Sequence, residues 1–168
     1  MSVKDLQRRY DYAYWANRML FGVIEQLTPG EFTQDVAGSY GSIRNTLVHT
    51  MSAEWGWLAR CGGPSRGSQL KAEDFPTKQS VIEQWGLVEG YAREFLGTLN
   101  DDDLNRIVEF DLPQTGKQAM SVCEMLEHGA THSVHHRGQL ALLLRVLGCA
   151  PGNFDLLFYD FEKHAAGV

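Results

Sequence analysis

The strongest constraint on what this chain can fold into is its run from Ser121 to Leu147. Leu140, Leu143, Leu144 and Leu147 recur there at i, i+3, i+4 and i+7, the period of an α-helix with one apolar face. Gly148 stands where a C′ glycine closes a helix, and Pro151 follows. Three more segments read the same way. From Val3 to Leu27 the stripe is Leu6, Tyr10, Ala13, Leu20 and Ile24, ended by Thr28-Pro29-Gly30. The second opens on Ser42 as N-cap and carries Ile43, Leu47, Val48, Met51, Trp55 and Leu58 to the breaker Gly62-Gly63-Pro64. The third, from Thr77, carries Val81, Ile82, Trp85, Val88, Tyr91, Phe95 and Leu99 to Asn100-Asp101-Asp102-Asp103. A short helix is expected over 155–164.

Four long amphipathic helices that must bury their stripes against one another predict an all-α four-helix bundle. The connection from Gly62 to Pro76 is long enough to cross the length of such a bundle and leave the second and third long helices parallel. Arg106 to Met120 alternates apolar and polar residues around Pro113-Gln114-Thr115-Gly116-Lys117, which reads as a short hairpin or an extended loop. At 168 residues the whole chain, 1–168, is expected to form a single domain.

Composition narrows the partners. A net charge of -6 argues against nucleic acid and anionic membranes, both of which need a basic surface. No apolar run approaches the roughly 20 residues of a membrane span. The N-terminal Met1-Ser2-Val3-Lys4-Asp5-Leu6-Gln7-Arg8-Arg9 is too polar for a secretory signal, so the expected location is cytoplasmic. Cys61, Cys123 and Cys149 are scattered with no CxxC, which excludes a disulfide framework and a zinc knuckle.

The chemistry lies in the histidines. Four of the six fall in Glu127-His128-Gly129-Ala130-Thr131-His132-Ser133-Val134-His135-His136. His132 and His136 are i, i+4, so they stand one above the other on one helix face and can share a divalent metal. His128, one turn upstream, extends the ladder, and on spacing either adjacent pair can chelate. A helical pair needs a further ligand from elsewhere, and His49, mid-helix beside the second apolar stripe, is the candidate. His135 points about 100° away from His136, toward a surface or an interface. Ser133 after His132 excludes the HExxH protease signature, and no Glu-x-x-His pair forms a di-iron site. Gln139 is three residues from His136 and within reach of the site, whereas Arg137 is assigned to the bundle surface, paired with Glu54 or Glu127. Tyr10, Tyr14 and Asn17 face either a pocket or the core. Trp55, Trp57 and Trp85 are packing residues.

The string from Thr131 to Leu140, closing with Leu144-Arg145-Val146-Leu147-Gly148, resembles the "NHxxxHRGQ…LLRxLG" helix of the DinB/YfiT-like superfamily. Trp15-Ala16-Asn17 resembles its "WAN" segment. Gly41 to His49, with Glu54 and Trp57-Leu58, resembles its second-helix pattern. Thr131 stands where the family often has Asn. The resemblance covers effectively the whole chain and implies an up-down-down-up bundle, a metal held by His49, His132 and His136, and a homodimer. Zinc or nickel is the expected ion, with iron or manganese next. The expected function is a metal-dependent enzyme of thiol S-transferase or hydrolase type. Its substrate would be a small molecule, with a low-molecular-weight thiol as the co-substrate considered. The alternative is a non-catalytic metal- or small-ligand-binding stress-response protein.

Overall fold

The computed structural model describes residues 1–36, 38–65 and 67–167. It contains α1 (Val3–Ile24), α2 (Pro29–Thr33), α3 (Ile43–Arg60), α4 (Lys78–Thr98), a hairpin of β1 (Ile107–Leu112) and β2 (Gly116–Ser121), α5 (Val122–Val146) and α6 (Leu156–Ala165). Short 3-10 turns lie at 72–74 and 103–105. The molecule is therefore mostly helical with one two-stranded antiparallel sheet, and the strict all-α expectation is corrected by that hairpin.

Each long helix starts where a side chain satisfies its free N–H groups. The hydroxyls of Ser2, Ser42, Thr77 and Ser121 accept from the backbone N–H three residues on, at Asp5, Asn45, Ser80 and Glu124. At Ser2 and Ser121 the carboxylates of Asp5 and Glu124 return the bond, completing capping boxes. Thr28-Pro29-Gly30 does more than stop α1. Thr28 caps α2, with Pro29 at its first turn, where a missing N–H costs nothing.

α1 packs against α4 and α5, and α3 packs against α4 and α5, with α3–α5 the most extensive pairing. Leu6, Leu20 and Ile24 of α1, Ile43, Leu47 and Met51 of α3, Val81, Trp85 and Val88 of α4, and Leu126, Leu140 and Leu144 of α5 meet in one buried cluster. α6 lies on the outside of α1. Tyr159 meets Tyr12 and Trp15 edge-on at 5.9 and 5.7 Å, and Arg8 pairs with Asp160 at 2.6 Å.

The hairpin follows from alternation. Val108, Phe110 and Leu112 are half-buried while their neighbours are exposed, and Phe110 meets Trp57 of α3 edge-on at 5.7 Å. Gly116, the first residue of β2, sits at φ 70°, a left-handed position that glycine enters without a side-chain penalty.

Gly129 is a different case, because its helical backbone is ordinary and its surroundings are not. A methyl group there would sit 2.9 Å from the Tyr10 hydroxyl, which is buried and donates to the Leu126 carbonyl at 3.2 Å. Alanine normally stabilises a helix interior by about 1 kcal/mol relative to glycine. Gly129→Ala is instead expected to destabilise the protein by about 1–3 kcal/mol through overpacking. Urea denaturation checks it, and a Tyr10→Phe background should shrink the penalty. A stabilised Gly129→Ala protein would show that this approach does not limit α1–α5 packing.

Candidate metal centre

The α3–α5 contact brings His49 to the pair on α5. One ring nitrogen each from His49, His132 and His136 lies within 4.8 Å of the others. His132 Nε2 and His136 Nε2 are 3.0 Å apart, and the His49 ring centroid is 5.3 Å from that of His132 and 4.7 Å from that of His136. The i, i+4 spacing explains the pair, and the ridge–groove packing of α3 on α5 explains the third ring.

Tautomer and charge both leave lone pairs at this point. The Gln139 side-chain oxygen accepts from His136 Nδ1 at 2.6 Å, so the proton of a neutral His136 sits on Nδ1 and its Nε2 is bare. Two other contacts agree with that amide orientation. The Ser39 hydroxyl donates to the same oxygen at 2.7 Å, and the amide nitrogen meets His135 Nε2 at 3.0 Å. Burial, reinforced by the neighbouring rings, pulls the pKa of His49 and of His132 down to about 4. Burial also lowers His136, against the Gln139 hydrogen bond. All three are thus neutral near pH 7. Three neutral imidazoles converging on one point, one of them oriented by an amide oxygen, fit a divalent transition-metal ion.

The remaining candidates fall outside that group. His128 is exposed and meets Trp57 edge-on at 4.7 Å, with its ring 5.6 Å from His132. His135 is exposed, as expected for a residue turned away from the site. Tyr10, Tyr14 and Asn17 belong to the core, and Trp85 is buried, while Trp55 and Trp57 are half-buried. Cys61 is buried against Met125 and its thiol pKa is pushed up to about 12, which makes it inert as a nucleophile. A cleft of about 670 Å³ between the N-terminal end of α1, α5 and α6 is lined by Arg8, Tyr12, Ala130 and Val134 among others, and by no histidine. Sequence reasoning missed Ser39 and Tyr40, which reach the site from the segment before α3. The Tyr40 ring stacks on His49 at 3.9 Å, with its hydroxyl 2.9 Å from His49 Nε2. Their proximity to the Ser42 cap was the only signal available.

Arg137 is the clearest correction. It was assigned to the surface, yet it is 2% exposed. Its Nη1 donates to Asn17 Oδ1 at 3.2 Å and to the Ala13 carbonyl at 3.4 Å, and its guanidinium lies over Tyr12. Neighbouring it is Glu54, 1% exposed, whose carboxylate takes the Tyr14 hydroxyl at 2.7 Å and faces the Ser133 hydroxyl at 3.4 Å. Burial raises Glu54 to about 7, with Tyr14, Arg137 and Ser133 pulling the other way. A carboxyl whose folded pKa is raised favours the fold most below its unfolded value, and that favour is lost as pH rises through the folded value. Relative to Glu54→Gln, the wild-type protein is expected to lose up to about 3 kcal/mol between about pH 4.5 and 7. The desolvated histidines act in the opposite direction as pH falls, but they are common to both proteins and cancel in the difference. Denaturant titrations of both proteins across this range test it, and a difference independent of pH would refute it.

With this geometry in hand, comparison with known proteins is informative. The profile of the DinB family matches residues 1–165. Protein DinB of Bacillus subtilis (strain 168) is 25% identical over 157 residues, covering 90% of this chain and 91% of the relative. An uncharacterised protein of the same organism, YizA, is 23% identical over 146 residues, covering 87% and 90%. The crystal structure of a DinB-like protein from Bacillus cereus ATCC 10987 superposes with a TM-score of 0.75 at 21% identity, over 90% of this chain and 97% of that one. At that identity the structural likeness speaks for the fold alone, and the profile match speaks for the lineage. The chain belongs to the DinB family.

Proposed function

We propose that this protein is a divalent-metal-dependent enzyme whose ion is held by His49, His132 and His136, in a four-helix bundle of up-down-down-up order. The observation that carries the reading is the convergence of one ring nitrogen from each of these histidines within 4.8 Å. The donor set is all nitrogen, which suits zinc or nickel first and iron next, and suits magnesium or calcium poorly. A divalent ion with an open position lowers the pKa of a water or thiol bound there, which is the chemistry of hydrolysis or of thiol transfer to an electrophile. Of these, thiol transfer is favoured here, since a soft sulfur donor suits the same ions.

The protein's own groups do the positioning. Gln139 holds the His136 ring in its Nδ1–H form, and Ser39 holds Gln139. Burial among apolar side chains of α3 and α5 keeps the imidazoles unprotonated at neutral pH. A second reading, metal or small-ligand binding without catalysis, is favoured by one feature. The buried carboxylate of α3, Glu54, already has both oxygens engaged, by Tyr14 and Ser133.

Elemental analysis of protein purified without a histidine tag is expected to find about one divalent ion per chain. His49→Ala and His132→Ala are each expected to lose it. Gln139→Ala, which removes only an outer partner, should weaken affinity roughly 10- to 100-fold. Full retention of metal by both histidine variants would refute the ligand assignment. The metal-loaded protein, given a panel of thiols and electrophiles, is expected to consume both together. Turnover no greater than that of the metal-free protein would leave the binding reading standing.

A further inference from the structure

Tyr40 poses a question that the three histidines do not answer. Its side chain is 45% exposed, yet its hydroxyl is turned inward to a ring nitrogen rather than out to water. The segment that carries it is tied down on several sides. The Ser39 hydroxyl donates to Gln139, the Asn45 amide donates to the Tyr40 carbonyl at 3.1 Å, and Gly41 N–H returns to the Gly38 carbonyl at 3.0 Å. Ser39 itself is held at φ 49°, the left-handed region that a serine rarely enters. Strain of that kind persists where the surroundings hold a residue for a purpose.

The phenol and the imidazole of His49 lie nearly parallel, 20° apart, with their polar ends side by side. The same ring is 5.6 Å from that of His136. A stacked neighbour lies over the face of His49 rather than along the in-plane lone pair of Nε2, so it does not block that lone pair from a third party. A phenol hydroxyl is a hydrogen-bond donor near neutral pH. The atom it meets in this structure, Nε2, belongs to His49, one of the three rings assigned to the ion. Because the hydroxyl lies over the face of that ring, its O–H can donate to an acceptor on the open side of the histidines.

We infer that Tyr40 is the ligand-positioning residue of this site. Its hydroxyl donates a hydrogen bond to the anionic donor atom that a small molecule presents to the open side of the three imidazoles. The ligand class is therefore a small anion, or a thiol that arrives as thiolate, with a spare lone pair beside the atom that engages the site. The inference rests on the three-histidine reading above.

The test compares wild type, Tyr40→Phe and His132→Ala, each offered Co(II). Cobalt affinity is read by chelator competition, and azide and imidazole binding by the visible spectrum of the ion. Tyr40→Phe is expected to bind cobalt about as tightly as wild type, because the hydroxyl lies over the face of His49 and off its in-plane lone pair. Its azide affinity should fall about tenfold to a hundredfold, the worth of a hydrogen bond to a charged acceptor. Imidazole has no spare acceptor once bound, so it should bind both proteins alike. Equal azide affinity in the two would overturn the inference, and so would equal losses for azide and imidazole, which would mark a steric effect. A Tyr40→Phe protein that loses cobalt as His132→Ala does would make Tyr40 a ligand instead. Failure of wild type to take up cobalt, or its retention by His132→Ala, would sink the three-histidine reading and this inference with it.

Discussion

The structure depends on the contact between α3 and α5. It is the most extensive helix pairing in the molecule and the one that places His49 against His132 and His136. Donor atoms on separate helices can share an ion only if those helices are held to within a few tenths of an ångström, since coordination distances vary little. The Gly129 position shows how close the neighbouring α1–α5 packing is. Only a residue without Cβ leaves room for the Tyr10 hydroxyl one turn from the histidines.

Behind the site lies a set of buried polar groups that would be unfavourable in isolation. Glu54, Tyr14, Ser133, Arg137 and Asn17 come from three different helices, α1, α3 and α5. A buried carboxyl or guanidinium is tolerated only with partners, and wrong packings that break those partnerships are penalised. These contacts therefore favour one particular placement of α1, α3 and α5. Stability is traded for it, because Glu54 must ionise in a dry environment as pH rises. The histidines make the opposite trade: the burial that keeps them unprotonated costs stability as pH falls below the ordinary histidine range.

Much of the helical framework can be read directly from the residues. Ser42, Thr77, Ser121 and Gly148 mark boundaries because capping is local chemistry, decided within four residues. The hairpin was legible only as one of two options, because a half-buried alternating stretch gains its strand partner from the fold. Thr28-Pro29-Gly30 misled in part, since the same residues that break one helix also cap another. Arg137 was misplaced for a more basic reason. Charge alone argues for the surface, and only the presence of Asn17, the Ala13 carbonyl and the Tyr12 ring makes its burial tolerable.

On its own, the sequence determined the four long helices, most of their ends, the pairing of His132 with His136, and His49 as the candidate third ring, because each of these follows from local spacing and apolar periodicity. Tertiary structure alone decided that His49 meets the pair, that His128 stays outside, and that Ser39 and Tyr40 reach over from the segment before α3. Those outcomes depend on how faces of distant helices interlock and on which buried polar groups find partners. Such relations exist only between residues far apart in the chain, and no local pattern encodes them.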